Sequence, residues 1–250
     1  MASMRFRVLT YNIHKAIGVD RRFAPERIVA ILEHHNADVA MLQEVDVGVP
    51  RSRHLDLAAH LARRLEYDFR AVGLNVFLKK GRYGNATLSR FPIGRQHNID
   101  LTIGRYKRRG AQHTRVHIPV GRRIVDVDLF NVHLGLTAQL RRRQVRRLLA
   151  AADVAHLAPR DPCIVGGDMN DWPGALKRRF FEPAGFHCAT NRYPGSRRSI
   201  KTFPSFAPTS GLDKIFYRGA LELVHVNRSR LELARVASDH LPVIAQFEIH

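Results

Sequence analysis

The residues with chemistry to offer stand where apolar runs stop. Cys163-Ile164-Val165 breaks at Gly166-Gly167 and passes directly into Asp168-Met169-Asn170-Asp171-Trp172. A buried run that ends on a carboxylate and a carboxamide must supply partners for both as they leave water. A metal ion and a phosphate are suitable partners. The pattern recurs along the chain. Asn12 follows the run 8–11, Glu44 follows 39–43, His133 follows 129–132, Asp213 stands at the start of 212–216, and Asp239-His240 precede the run 242–249. Each alone has an ordinary reading: a turn cap for Asn12, a solvated acid for Glu44, a hydrogen-bonded core imidazole for His133, a turn former for Asp239. Recurrence at the end of one run after another is what points to a site.

The oxygens of such a set suit a hard divalent cation, Mg²⁺ or Mn²⁺. A structural Zn²⁺ site would need Cys and His at finger-like spacings, which are absent. Two imidazoles beside carboxylates suit proton transfer, because a carboxylate fixes the tautomer and raises the basicity of its partner. The sequence has no Gly-x-x-x-x-Gly-Lys-Ser/Thr, no Gly-x-Gly-x-x-Gly and no Gly-x-Ser-x-Gly. Nucleotide-driven transfer, dinucleotide chemistry and serine hydrolysis therefore have no motif support.

The elements that must position these residues alternate between strand and helix. Residues 6–11 and 39–42 read as strands. Pro25 with Ile28, Ile31 and Leu32 reads as a helix, and 55–65 reads as a second amphipathic one. Strands are expected in succession over 69–72, 76–78, 86–89, 93–99, 114–118 and 124–132. Thr137 caps a third helix expected to run to about residue 156, with Arg141, Arg142, Arg143, Arg146 and Arg147 on its outer face. A short helical piece is expected over 175–181, and strands over 212–217, 221–226 and 243–249. Helices interspersed with blocks of consecutive strands fit an α/β class with two mixed sheets packed face to face and helices outside. No linker or repeat interrupts the 250 residues, so one domain spanning 1–250 is expected. Loops at 79–84, 104–111 and 190–211 are basic and punctuated by Gly or Pro, as recognition loops often are.

Charge narrows the partner. Lys and Arg number 41 against 22 Asp and Glu, a formal net charge of +19. That excess favours polyanions, although solvated arginine-rich faces would produce it too. Cys163 and Cys188 are too few for a disulfide framework, and Cys163 reads as a buried thiol. No apolar run approaches a membrane span, and the first residues show no signal-peptide core, so a cytoplasmic monomer is expected.

Taken together, Thr10-Tyr11-Asn12-Ile13-His14, Leu42-Gln43-Glu44-Val45-Asp46, Asn131-Val132-His133-Leu134, Gly167-Asp168-Met169-Asn170-Asp171-Trp172, Leu212-Asp213-Lys214-Ile215 and Ser238-Asp239-His240-Leu241-Pro242 resemble the endonuclease/exonuclease/phosphatase superfamily, the DNase I-like fold. Two further stretches, residues 84–93 and Lys201-Thr202-Phe203-Pro204, resemble its small bacterial members of the YbhP type. The resemblance implies a four-layer α/β sandwich with the site at one open edge of the paired sheets. It implies Glu44 as principal metal ligand with Asn12 and Asp239 beside it. Asp168 and Asn170 would position water, phosphate or a second metal. His240, paired to Asp213, would be general base or phosphate ligand, and His133 would bind a phosphoryl oxygen or protonate the leaving group. Asn85, Arg82, Arg108, Arg109 and Arg198 are the expected substrate contacts. One departure is the His133 stretch, where exonuclease III-type enzymes carry Tyr-x-Pro-Asn; it argues against abasic-site cleavage.

Three functions compete. The first is a metal-dependent nuclease on DNA or RNA. Arg105, Lys107, Arg197 and Lys201 would add phosphate contacts, and Tyr83, Tyr106 and Tyr193 would stack on bases or pack within loops. The second is the same chemistry on a phospholipid head group, phosphoinositide or small phosphodiester, since anionic lipid also attracts a basic protein. Its mark would be an apolar rim, for which Phe203, Phe206 and Pro208 are candidates. The third is a silent binding module, which would have no need of the whole polar set.

Overall fold

The computed structural model describes residues 2–193, 196 and 198–250. Arg197, one of the expected phosphate contacts, lies outside the described residues. In chain order the elements begin with β1 (Met4–Asn12), α1 (Pro25–His35), β2 (Val39–Val47), α2 (Leu57–Arg64), β3 (Phe69–Phe77), β4 (Arg82–Ser89) and β5 (Ile93–Asp100). There follow β6 (Gly110–Val120), β7 (Arg123–His133), α3 (Ala138–Ala150), α4 (Ala152–Ala155), β8 (Cys163–Asp168) and β9 (His187–Cys188). The chain closes with β10 (Asp213–Arg218), β11 (Glu222–Arg228), α5 (Glu232–Ala237) and β12 (Val243–Ile249).

Two mixed six-stranded sheets result, one in the order β11-β12-β1-β2-β4-β3, the other β5-β6-β7-β8-β10-β9. Side-chain alternation along the strands separates three apolar layers. In β1, Phe6 and Val8 point between the sheets, where they meet Val127 and Leu129 of β7 and Ile164 of β8. Leu9 and Tyr11 point the other way, onto Ile28, Ile31 and Leu61 of α1 and α2. On the far side, Phe130, Val132 and Val165 face Val145, Leu148 and Val154 of α3 and α4. Helix, sheet, sheet and helix make the four expected layers.

Local chemistry sets the helix ends. Pro25 occupies the first turn of α1, and Asn36 closes it in the left-handed conformation (φ 46°). Asp56 caps α2 by accepting from the Ala59 N–H at 2.9 Å, and Thr137 caps α3 through the Leu140 N–H at 3.3 Å. No helix among the described residues is long and apolar enough to cross a membrane.

Several expectations are corrected. The third helix breaks at Ala151, whose backbone is extended (ψ 139°). The break turns Asp153 of α4 onto Arg95, His97 and His113 at 3.0–3.2 Å. Arg141 is buried rather than on the outer face, its guanidinium bonded to the Leu136 carbonyl. Residues 69–72 and 76–77 belong to one strand, β3, with a register shift between Gly73 and Val76, and Leu78 lies just past its end. β2 continues past Leu42 through a bulge against β4, so Glu44 lies inside a strand and not after one. β9 and α5 were not expected; β9 is too short, and α5 too weakly periodic, to show in the sequence.

Beneath one edge the sheets are joined by polar side chains. Gln43 Nε2 donates to Asn131 Oδ1 at 2.7 Å and to Thr10 Oγ1 at 3.2 Å. Asn131 Nδ2 donates to the Leu42 and Ala86 carbonyls at 3.1 and 3.0 Å, and Thr87 Oγ1 to Gln112 Oε1 at 2.7 Å. A buried network of this kind fixes how the two sheets sit on each other, because slippage would strand its donors.

Candidate active site

Topology explains why distant polar residues meet. β1 runs parallel to β2, and β7 to β8, so these four strands deliver their C-terminal ends to one edge. β10 runs antiparallel to β8 with Asp213 opposite Asp168, and β12 antiparallel to β1 with Val243 opposite Thr10. Their N-terminal ends therefore arrive at the same edge. His133 pairs directly with Asp168 across β7 and β8.

Asp168 is the hub. Its Oδ1 accepts from the Asn170 N–H at 2.9 Å, and its Oδ2 accepts from Asn12 Nδ2 at 3.2 Å. The same Oδ2 lies 3.4 Å from His133 Nε2 and 3.7 Å from His240 Nε2. His240 Nδ1 is 2.8 Å from Asp213 Oδ2, which also accepts from Thr202 Oγ1 at 2.5 Å. An ionised carboxylate can only accept, so Nδ1 carries a proton and Nε2 is the nitrogen left for chemistry. Ser238 Oγ donates to the Asn12 carbonyl at 2.7 Å and accepts from the His240 N–H at 3.2 Å, tying β1 to the segment before β12. Asn170 Nδ2 donates to the Leu134 carbonyl at 2.9 Å, joining the loops after β7 and β8.

A second group adjoins the hub. Glu44, Asn85, Arg108, Arg109 and His133 line one small pocket with Tyr83. The carboxylate of Glu44 is met by the ammonium of Lys15. Asn12 Oδ1 accepts from the His14 N–H at 3.1 Å, and Asp239, half exposed, lies 4.0 Å from His14 Nδ1.

Burial and neighbouring charge set the protonation states. Burial raises Asp168, as does Asp213 nearby, and its carboxyl is pushed up to about 6. Burial opposes the charge on His240, but Asp213 and Asp168 overcome it and hold the imidazolium up to about 10. Burial would raise Glu44, yet the Lys15 ammonium against it pulls it down to about 2. Burial and then Arg109 hold His133 well below its ordinary value. The two imidazoles of one site are thus driven in opposite directions, the pattern by which acid and base roles separate.

The backbone carries strain here. His14, Lys15 and Ala16 form consecutive left-handed residues (φ 46°, 62° and 58°), and Glu44 and Asn170 share that conformation at 57° and 49°. Such non-glycine residues cluster where a side chain must be aimed. At Glu44 the β2 bulge does the aiming.

The side chains fit a divalent cation. Buried Asp213 Oδ1 has no hydrogen-bond partner among the described residues, and the Glu44 carboxylate already attracts a cation of the chain's own. Among the described residues, Asp168, Asp213 and His240 each offer one ligand atom within 4.8 Å of the others. Within that trio, protonated His240 is hydrogen-bonded to Asp213 and ion-paired with Asp168 at 3.7 Å. Asp168 is common to it and to the expected set of Asn12, Glu44 and Asp239.

The expected substrate contacts divide. Arg108 and Arg109 line the pocket, and Arg109 is buried. Arg82 is exposed on β4, its guanidinium 5.6 Å from the Phe77 ring. Asn85 lines the pocket, but its Nδ2 donates to the Asn131 and Gly110 carbonyls at 2.9 and 3.3 Å, which clamps the sheets. Arg198 is exposed, its N–H bonded to Ser196 Oγ at 3.0 Å, with no described contact to the pocket. Tyr83 is buried between Arg51 and Lys107 at 5.1 and 5.3 Å, so loop packing is its role. Tyr193 is exposed in a separate groove with His187 and Tyr217. Sequence reasoning missed Lys15 and the Gln43–Asn131 layer. Ser238 and Thr202 stood inside quoted motifs, and that adjacency was their only signal.

With this geometry in place, similarity to known proteins is informative. The model of the endonuclease/exonuclease/phosphatase family matches residues 9–240. The chain is 33% identical to YbhP of Escherichia coli (strain K12) over 257 aligned residues, covering 98% of this chain and 96% of YbhP. An endonuclease/exonuclease/phosphatase structure from Beutenbergia cavernae superposes with a TM-score of 0.78 at 24% identity, covering 98% of this chain and 72% of that one. TDP2 of D. rerio, described in complex with a single strand DNA product, superposes at 0.71 and 16% identity, covering 97% and 98%. These two likenesses show the fold.

Proposed function

Because the chain belongs to the endonuclease/exonuclease/phosphatase family, we propose that it is a divalent-metal-dependent phosphodiesterase that uses an activated water, with DNA or RNA as substrate. The observation that carries the chemistry is the Asp213–His240–Asp168 chain running to His133 at one sheet edge. Bound Mg²⁺ or Mn²⁺ would neutralise charge on the phosphoryl oxygens and acidify water. Glu44, Asn12, Asp168 and Asp239 are the residues to hold it. Asp213 fixes the His240 ring so that Nε2 meets the phosphoryl group or the water. Arg109, buried beside Asp168 and Glu44, offers a fixed positive charge to developing negative charge. Asn170, locked by its own backbone and the Leu134 carbonyl, holds the loop that presents Asp168. His133, kept neutral, can accept a proton as well as bind an oxygen.

Nucleic acid is supported by the net charge of +19 and by Arg108 and Arg109 at the pocket. The free cysteines suit a reducing cytoplasm. One observation favours a second reading, a lipid phosphoester. Trp172 is 52% exposed, edge-on to Phe203, which itself packs on His240, and Leu136 and Phe206 are exposed on neighbouring loops. A panel of bis(p-nitrophenyl) phosphate, DNA and RNA oligonucleotides and phospholipid vesicles, with Mg²⁺, Mn²⁺ or EDTA, tests both. Turnover of the diester and an oligonucleotide is expected with metal and none with EDTA. Asp168→Asn and Glu44→Gln should each lower kcat by about 10²–10³, the scale of losing a transition-state electrostatic contact. No diester hydrolysis with any metal, or full activity in both variants, would remove the proposal. Turnover of vesicles alone would select the second reading.

A further inference from the structure

A cavity of about 610 Å³ lies beside the catalytic pocket, lined by Asn75, Phe77, Asn98, Arg105, Tyr106 and Arg108 among others. Asn75 and Arg108 line both spaces, so the two adjoin. We propose that this cavity is a nucleobase subsite, which receives an unpaired base of a single-stranded nucleic acid whose neighbouring phosphate lies at Asp168 and His240. The proposal rests on the phosphodiesterase reading above and adds the strandedness of its substrate.

The cavity wall has the two features that a base requires. The first is a flat surface. Tyr106 is 61% exposed and Phe77 57%. The guanidiniums of Arg82 and Arg108 lie over the Phe77 ring, 5.6 and 5.3 Å from its centre, so the surfaces offered to a base are the exposed Tyr106 ring and these cationic planes. Bases stack on such rings and planes. The second is a hydrogen-bonding edge. Asn98 Nδ2 donates to Asn75 Oδ1 at 2.6 Å, which leaves the Asn75 amide N–H₂ as donor and the Asn98 amide oxygen as acceptor on two residues of the cavity wall. The backbone is cut away to seat this pair. A Cβ on Gly73 would lie 2.6 Å from Asn98 Oδ1, and one on Gly110 would lie 2.2 Å from Asn75 Oδ1.

The same wall argues against other occupants. A duplex base has its faces stacked and its edge paired, so it could use neither feature. An acyl chain would meet two amides and the Asp100 carboxylate. Asp100, fixed by accepting from the Thr102 N–H at 2.8 Å, also repels a phosphate from the cavity, so the backbone should pass along Arg105 and Arg108 while the base turns inward.

Binding measured in EDTA separates this subsite from turnover. Fluorescence anisotropy would be recorded with a labelled ten-nucleotide single strand, as DNA and as RNA, with the matching duplex, with polyphosphate as a base-free polyanion, and with anionic phosphatidylserine vesicles. The wild type should bind a single strand at least tenfold more tightly than the duplex, and the tighter of DNA and RNA identifies the sugar. Tyr106→Ala and Asn98→Ala should each weaken single-strand binding about tenfold, the effect of losing one base contact, and leave polyphosphate binding unchanged. The inference is overturned if the wild type shows no single-strand preference, if the variants match the wild type, or if polyphosphate or vesicle binding falls equally. Bis(p-nitrophenyl) phosphate hydrolysis, assayed separately with metal, reports on the catalytic reading alone.

Discussion

At the scale of single residues, the site depends on paired charges more than on any one group. Asp213 has one oxygen on His240 and Thr202 and the other buried, without a partner among the described residues. Asp213→Asn removes the carboxylate that raises His240 most, so the imidazole should give up its proton at lower pH. The amide can also present its N–H₂ to Nδ1 and reverse the tautomer. A fall in kcat of about 10²–10⁴ is expected, the range for a positioned proton-transfer group. The check is a pH–rate profile, whose imidazole limb should move to lower pH while metal affinity holds. Lys15 calls for the opposite test. Its ammonium occupies the carboxylate of Glu44, so an incoming divalent ion must share or displace it. Lys15→Met should tighten Mn²⁺ binding several-fold, measured calorimetrically without substrate. Unchanged or weaker Mn²⁺ binding would mean that Lys15 supports the site instead of competing in it. The charged members Glu44, Asp168, Asp213 and His240 were legible in the sequence because each ends or interrupts an apolar run. Lys15 was not, because its placement follows from left-handed backbone at His14, Lys15 and Ala16, which no side-chain pattern announces.

At the scale of elements, strand ends position the chemistry, so the joints between strands are where the site can be broken from a distance. β7 and β8 run parallel and bring His133 beside Asp168. Their closeness depends on Gly167, whose φ of 142° suits glycine and whose absent Cβ would lie 1.9 Å from the Val132 carbonyl oxygen. Gly167→Ala must push β8 off β7 one residue before Asp168. It should destabilise the protein by more than about 2 kcal/mol, as a backbone clash at a special φ/ψ does. A lower melting temperature, together with activity lost even in the fraction that stays folded, is the expected result; a wild-type melting curve would show that the strands can part without cost. Strand and helix existence was readable from periodicity, as with α1 and the run 243–249. Bulges were not. The sequence places Glu44 after a strand because the continuous apolar run stops at Leu42, whereas the ladder resumes at Val45 after an extra residue. The break at Ala151 was invisible for a related reason: no Pro or Gly marks it, and the pairing of Asp153 with His113 and Arg95 is a tertiary contact.

At the scale of the whole molecule, the question is whether the net charge of +19 is a binding device or a solvated coat. Its cations fall into separable groups. Arg105 and Arg108 line the cavity beside the active pocket, and Lys107 leans over Tyr83 between them. Arg142, Arg143 and Arg146 are exposed on α3, on the outer helical layer. Counterion release distinguishes the groups, because each phosphate neutralised on a single strand adds about 0.7 to the slope of log K against log salt. If about five phosphates are engaged, oligonucleotide affinity should fall roughly a hundredfold between 50 and 200 mM NaCl. Replacing Arg105, Lys107 and Arg108 together by Ser should weaken binding and reduce the slope by about two. Replacing Arg142, Arg143 and Arg146 should leave the slope as it was, since none of the three lines the cavity or the pocket beside it. Equal slopes in both triple variants would mean that the charge acts as a diffuse field. Specificity would then rest on the cavity wall alone, with Tyr106 and the Asn75–Asn98 pair carrying all of the selection between nucleic acid and other phosphoesters.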